Sequence, residues 1–261
     1  MLNTVKCPIV FAKGLTMSHS YLTPNWPAPE SVKAYVTTRI GGFSHAPFDG
    51  FNLATHVGDH AETVAKNRAL LAEHLQLPQE PVWLEQVHGV EAVAAESVEQ
   101  GYCADAIYTE QIGNVCVVMT ADCLPVFFCN RQGTKVAVAH AGWRGLANGV
   151  LESTVQSLGG KPEDILVWLG PAISQAAFEV GDEVRQAFAD YLPQAEQAFK
   201  PSRPNHWYAD LYLLAKQCLQ VQGIQQIFGG DLCTYTDNER FFSYRRDQQT
   251  GRMASLIWLQ S

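Results

Sequence analysis

Three apolar runs rich in β-branched residues follow one another in the middle of the chain, at Asn114 to Thr120, Leu124 to Cys129 and Lys135 to Ala139. No helical stretch separates them, so the strict β–α alternation of a doubly wound parallel sheet is missing. The pattern predicts a mixed α+β arrangement instead. Further strands are predicted over Ser31 to Thr38, Pro81 to Leu84, Val90 to Ala94, Asp164 to Leu169, Ile224 to Phe228 and Met253 to Leu259. Apolar residues recurring at helical spacing predict helices over Ala61 to Leu75, Leu146 to Leu158, Asp182 to Tyr191 and Tyr208 to Val221. No internal repeat or linker divides the chain, and its 261 residues suit a single domain, 1–261, with a substantial core.

Charge and cysteine usage exclude several classes of function. The net charge is −8, and the one basic cluster, Tyr244-Arg245-Arg246, sits among Asp237, Glu239 and Asp247. Nucleic-acid binding needs a clustered basic face, so no nucleic-acid partner is expected. No run approaches the roughly 18 apolar residues of a membrane-spanning helix. The apolar patch from Cys7 to Ala12 is too short for a secretory signal, so the chain is read as cytoplasmic. An odd cysteine count, seven, argues against a disulfide framework. Cys116 and Cys129 lie in apolar runs and read as small buried hydrophobes.

Cys123 is different. It lies in Thr120-Ala121-Asp122-Cys123-Leu124-Pro125, between two apolar strands. Two other strand ends carry a histidine followed by glycine: Glu85-Gln86-Val87-His88-Gly89 and His140-Ala141-Gly142-Trp143-Arg144-Gly145. Strands fix the backbone at such places and the turn turns the side chain toward a shared cavity. His88, Cys123 and His140 together form a three-ligand set that leaves a metal position open for water or substrate, the pattern of catalytic zinc. His₂Cys also suits copper. The same residues admit a metal-free reading, in which Cys123 and His140 form a thiolate–imidazolium pair oriented by Asp122 or another carboxylate. That reading leaves His88 without a role.

Thr37-Thr38-Arg39-Ile40-Gly41-Gly42-Phe43-Ser44 ends a strand with a guanidinium and two glycines, a turn able to cradle an anion. Arg144 lies close enough to His140 in sequence to reach the same cavity. Asn67-Arg68, Phe242 to Arg246 and Gly251-Arg252 read as structural or surface features. So do His19, His45, His56, His60, His74 and His206.

Ten motifs occur in order along the chain: Thr38-Arg39-x-Gly41-Gly42-x-Ser44, Asn52-Leu53, His56-Val57-Gly58-Asp59, Asn67-Arg68, Gln86-Val87-His88-Gly89, Ala104-Asp105-Ala106, Thr120-Ala121-Asp122-Cys123-x-Pro125, His140-Ala141-Gly142-Trp143-Arg144-Gly145, Gly170-Pro171 and Phe242-Ser243-Tyr244-Arg245-Arg246. Together they closely resemble the YfiH family, also labelled the laccase-domain or multicopper polyphenol oxidase family. The resemblance runs from about Val36 to Arg252.

The resemblance implies mixed sheets packed as a sandwich with flanking helices, similar to cysteine hydrolases of deamidating toxins. It carries metal ligation onto His88, Cys123 and His140. It implies phosphorolysis of adenosine, inosine and S-methyl-5′-thioadenosine, with adenosine deamination beside it. Purine nucleoside and phosphate would then be the partners and zinc the cofactor. Arg39 or Arg144 is the expected phosphate contact. Cys123, His140, Arg39 and Asp122 are the expected catalytic set, with Glu85 a second carboxylate candidate. Polyphenol oxidation fits less well, since a multicopper centre needs more histidine ligands than eight scattered residues with no His-x-His pair supply. Amidase chemistry on peptidoglycan precursors by Cys123 and His140, and a binding module tied together by zinc, complete the alternatives.

Overall fold

The computed structural model describes residues 21–189 and 192–261. The N-terminal apolar patch, Cys7 and His19 lie outside the described residues, as does the predicted end of the Asp182 helix.

Two sheets carry the architecture. One has four strands in the order β1 (Tyr21–Leu22), β2 (Val32–Thr37), β13 (Met253–Leu259), β5 (Val115–Thr120). The other has six, in the order β12 (Gln226–Gly229), β8 (Ile165–Leu169), β6 (Leu124–Asn130), β7 (Val136–Ala141), β4 (Ala106–Thr109), β3 (Ala92–Ala94). Parallel and antiparallel pairs mix in the six-stranded sheet, with β12–β8 and β3–β4 parallel and β6–β7 antiparallel. The four-stranded sheet is antiparallel throughout, so the fold is α+β, with one mixed and one antiparallel sheet packed as a sandwich and flanked by helices.

The continuous apolar runs are explained by burial on both faces. Along β5, Cys116 and Val118 face the interior of the sandwich, where they meet Phe127, Val138, Trp168 and Ile257. Val115, Val117 and Met119 face the opposite way, onto a layer containing Leu71 of helix α1 (Ala61–Leu75). Leu124, Val126 and Phe128 of β6 face outward beneath α3 (Val150–Leu158) and α5 (Leu211–Val221). Side chains alternate with period two, so one apolar run feeds two separate cores.

A third sheet, β10 (Phe199–Pro201), β11 (His206–Ala209), β9 (Glu179–Gly181), was not foreseen. Its strands are short and partly exposed, which gives them little apolar pattern. Pro81 to Leu84 is not a strand beyond one bridge from Val82 to Cys116. The Trp83 N–H bonds instead to the Gln100 side chain at 2.9 Å. The helix predicted over Leu146 to Leu158 begins earlier and is cut in two. Gly149, at φ 100°, ends α2 (Trp143–Asn148) and opens α3. Tyr208 lies in β11, and α5 starts only at Leu211, where Asp210 accepts from the Leu213 N–H at 3.0 Å. The Asp182 helix is α4 (Asp182–Ala189), and the short α6 (Tyr244–Asp247) precedes β13.

β5 and β6 lie in different sheets. Ala121, Asp122 and Cys123, with Asp122 at φ 90°, carry the chain from one sheet to the other. Cys123 therefore sits where the two layers join, and the end of β7 with His140 lies alongside, since His140 pairs with Pro125.

Candidate active site

His88 reaches the site from the loop before β3, and Asp105 shapes that loop. The buried Asp105 carboxylate accepts the N–H groups of Val87 (3.1 Å), His88 (3.0 Å) and Gly89 (2.6 Å). Wrapping three successive amides around one anion drives His88 to φ 60°. A left-handed residue costs on the order of 1–2 kcal/mol, which the charge-assisted bonds offset. The same carboxylate takes a fourth donor, Nδ1 of His140 at 2.7 Å. A carboxylate only accepts, so Nδ1 of His140 carries the proton and neutral His140 leaves Nε2 bare.

His88 Nε2 lies 3.8 Å from Cys123 Sγ, and the His88 and His140 rings meet edge-on with centroids 4.7 Å apart. One ligand atom from each of His88, Cys123 and His140 lies within 4.8 Å of the others. Two imidazoles and a thiolate are a donor set that zinc or copper accepts, and a carboxylate behind one imidazole is the usual support for such a ligand. The residues present therefore fit a metal ion. Gly142 makes the approach geometrically open: a Cβ there would lie 2.8 Å from His88 Cδ2 and 3.1 Å from Cys123 Sγ.

Electrostatics point the same way. Burial pushes the Cys123 thiol up, but the positive charge of His140 and hydrogen bonds from His140 and His88 outweigh it and bring the thiol down to about 6. Burial pushes His140 down, yet the Cys123 thiolate and Asp105 raise it to about 9. Asp105 is pushed up by burial and held low, on balance, by His140 and the amides of Gly89 and Val87. Without metal, these opposite directions favour the thiolate–imidazolium form of the pair. Cys129, by contrast, is pushed up to about 12 by burial alone, as suits a small hydrophobe.

The three residues form one side of a cavity of about 370 Å³. Gln86, Met119, Thr120 and Ala121 line it beside them, and His56, Tyr244 and Arg252 complete its wall. The Thr120 hydroxyl is buried and, among the described residues, has no hydrogen-bond partner. Burial and the charges of Arg252 and Arg68 lower His56 from its ordinary value.

A model of the multi-copper polyphenol oxidoreductase laccase family matches residues 33–260. The chain belongs to this family. Within the laccase-domain family it is 55% identical, over 241 residues, to the purine nucleoside phosphorylase YfiH of Escherichia coli, covering 91% of this chain and 98% of that one. It is 53% identical to a purine nucleoside phosphorylase of Pseudomonas aeruginosa, covering 93% and 99%. Among solved structures it is similar to a Neisseria meningitidis protein, with a TM-score of 0.90 and 47% identity over 93% of this chain and all of that chain. A YfiH protein from Bacillus licheniformis superposes with a TM-score of 0.87 at 31% identity, covering 94% of this chain and 98% of that chain.

Several residues expected at this laccase-domain site stand elsewhere. Arg39 does not line the cavity. Its guanidinium donates to the carbonyls of Asp49 (3.1 and 3.0 Å) and Asn238 (3.3 Å) and stacks over Phe242. Arg144 is exposed and covers the Trp143 ring at 4.4 Å. Asp122 is adjacent, but its carboxylate accepts Thr234 Oγ1 (2.6 Å), Ser243 Oγ (3.0 Å) and the Arg245 N–H (2.7 Å). Those bonds hold the turn that presents Cys123. Glu85 pairs with the exposed Cys103 thiol. Conversely, Arg252 and His56, read from sequence as structural, line the cavity, and Asp105 is the organising anion. The available signal for Asp105 was a carboxylate between two alanines at the head of an apolar strand, where burial demands partners. Among the described residues no helix is long and apolar enough to cross a membrane.

Proposed function

We propose that this chain is a zinc-dependent purine nucleoside phosphorylase, working in the cytoplasm as one catalytic domain, with adenosine, inosine and S-methyl-5′-thioadenosine as substrates. One observation carries the reading: His88, Cys123 and His140 converge beside a cavity that Arg252 and His56 also line. Relatives named purine nucleoside phosphorylase, aligned over nearly their whole length, support it.

His88, Cys123 and His140 would hold the zinc, which when bound supplies Lewis-acid stabilisation of developing negative charge. Asp105 keeps the Nδ1 proton of His140 in place and so keeps Nε2 directed at the site. Arg252 lines the cavity, its Nη1 fixed by the carbonyls of Thr250 (2.8 Å) and Gly251 (3.1 Å), and is the cation that would hold phosphate while a phosphate oxygen bonds to C1′ and the bond from C1′ to the base nitrogen breaks. His56, lowered from its ordinary value by burial and by the charges of Arg252 and Arg68, can take the proton of the attacking phosphate and pass it to the departing base nitrogen. With Asp122 and Glu85 otherwise engaged, His56 is also the acid–base group for adenosine deamination, in which water replaces the amino group at C6.

A second reading has one specific observation behind it. Asp105, His140 and Cys123 are connected in the order of a carboxylate–imidazole–thiol triad, which suits amidase chemistry on a peptidoglycan precursor. Copper-dependent phenol oxidation has less support: among the described residues a single His/Cys/carboxylate cluster could hold a metal, whereas a multicopper oxidase needs several.

The test is incubation of metal-quantified protein with adenosine, with and without phosphate. Adenine and ribose 1-phosphate formed only with phosphate support phosphorolysis, and inosine formed in either case supports deamination. Absence of nucleoside turnover by zinc-loaded protein refutes the proposal. Release of an amino acid from a muropeptide instead establishes the amidase.

A further inference from the structure

Gln86 precedes His88 in the loop before β3, and its side chain reaches across to Met119, on the strand that leads into Cys123. The carboxamide donates through Nε2 to the Met119 carbonyl (2.8 Å) and accepts the Met119 N–H through Oε1 (2.7 Å). We infer that Gln86 is a positioning residue for the metal ligands, clamping the loop that presents His88 to the strand that presents Cys123. The inference rests on the metal reading of the site and not on which reaction the site runs.

The path of the backbone explains why a side chain is used. β5 is an edge strand of the four-stranded sheet, paired there with β13 alone. The segment from Val82 sets out along its free edge as a parallel strand: Val82 pairs with Cys116 and donates to the Val115 carbonyl at 3.2 Å. In that register Glu85 would fall opposite Met119. The main chain of Glu85 instead turns to the segment around Cys103, donating to the Tyr102 carbonyl at 2.9 Å and accepting the Ala104 N–H at 3.2 Å. Met119 is only 6% exposed, and a buried N–H and C=O left unpaired are costly. Only Asn and Gln side chains carry a carbonyl and an N–H together, so the Gln86 amide takes the place of the missing peptide.

The three ligands are thereby linked pairwise. The β6–β7 ladder, in which Leu124 pairs with Ala141 and Pro125 with His140, sets Cys123 against His140. Asp105 joins the His88 loop to His140. Gln86 supplies the third link, between the His88 loop and the Cys123 strand, whose ligand atoms Nε2 and Sγ lie 3.8 Å apart. His88 depends most on such links, being exposed, in a loop and at φ 60°. Gln86 also lines the cavity, so contact with substrate is the competing role, but its amide is turned to Met119.

Gln100 provides the control. Its side chain makes the same pair of bonds, from the Trp83 N–H and to the Pro81 carbonyl at 2.9 Å each, and neither group adjoins a ligand. Gln86→Met and Gln100→Met keep the side-chain length and remove both bonds. Gln86→Glu keeps the acceptor for the Met119 N–H but sets an oxygen against the Met119 carbonyl. Melting of the metal-free proteins verifies folding. Chelator competition gives zinc affinity, and the absorption of cobalt(II)-loaded protein reports the thiolate bond and the ligand geometry. In both Gln86 variants zinc affinity should fall by about ten-fold and the cobalt spectrum should change. Gln100→Met should lower the melting temperature comparably with affinity and spectrum unaltered. Folded Gln86 variants with wild-type affinity and spectrum overturn the clamp, as does an equal loss of affinity in Gln100→Met. A raised nucleoside KM with unchanged zinc affinity overturns it too, and assigns Gln86 to substrate. A wild type that takes up neither metal removes the metal reading itself, and the clamp with it.

Discussion

Replacing Asp105 by Asn probes the centre of the site with almost no change of shape. The carboxylate accepts four donors: the amides of Val87, His88 and Gly89, and Nδ1 of His140. Oδ1 serves His88 and His140, and Oδ2 serves Val87 and Gly89. Asn has one accepting oxygen, so either orientation sets an NH₂ group against two of the donors, of which the three amides are half-buried and His140 is buried. A buried unsatisfied group costs about 1–3 kcal/mol; the half-buried amides reach the lower end of that range, so the loss is about 2 kcal/mol, a sizeable part of a typical domain stability of about 5–15 kcal/mol. With the NH₂ toward His140, the ring must accept at Nδ1 and carry its proton on Nε2, which cancels it as a ligand. With the NH₂ toward Val87 and Gly89, the loop that presents His88 loses its anchor. Both routes weaken metal binding, by about 10–100-fold on the scale of such supporting groups. Chelator competition gives the metal affinity, and melting of the metal-free protein gives the stability. Unchanged zinc affinity in Asp105→Asn would refute the positioning role, whatever happens to the melting temperature.

Other perturbations reach the remaining parts of the site. In metal-free protein the iodoacetamide reactivity of Cys123 should rise as pH increases through about 6, where its thiolate forms; at neutral pH it should exceed that of the more exposed Cys103, whose thiol is pushed up by what burial it has and by Glu85. A rate for Cys123 that climbs only near the ordinary thiol value would disprove the thiolate–imidazolium pair. Gly142→Ala puts a methyl group 2.8 Å from His88 Cδ2, so His88 must turn away and zinc affinity should fall by at least about ten-fold; full zinc occupancy at limiting metal would contradict this. Arg252→Ala should raise KM for phosphate because Arg252 lines the cavity, whereas Arg39→Ala should leave it unchanged because Arg39 stands away from the cavity, over Phe242. The opposite ranking would restore Arg39 to the site.

What was legible in the sequence follows from burial. β5, β6, β7, β8 and β13 are buried on both faces, or nearly so, and such strands appear as uninterrupted apolar runs that no loop imitates. β10 is mostly exposed and β11 only half-buried, so neither carries a run or a clean alternation. Helix α1 was readable to the residue because Val64 and Leu71 recur at helical spacing on a buried face. Gly149 was harder to place: a glycine in a helical pattern is tolerated or breaks it according to the φ that the packing imposes, and here φ is 100°. His88, Cys123 and His140 stood out because each interrupts an apolar strand boundary with a group that has little reason to be there. Asp105 did not, since its importance lies in three amides and an imidazole contributed by other segments.

The arginines show why local motif and tertiary placement part company. Arg39 sits in a glycine-rich turn that looks built for an anion, yet its donors end on main-chain carbonyls. Arg252 follows a lone glycine and has no local mark. What brings it to the site is the antiparallel pairing of β13 with β5, in which Met253 lies opposite Thr120. In an antiparallel pair, the residue just before one strand meets the turn just after the other. Arg252 is therefore set against Ala121 and Cys123 by register alone. A slip of one residue would turn each β13 side chain to the other face, exchanging Leu256 and Ile257 between their two cores and carrying Arg252 off the cavity. The core packing that fixes the register of β13 thus also fixes the cation beside the metal ligands, and this dependence is visible only once the two strands are paired.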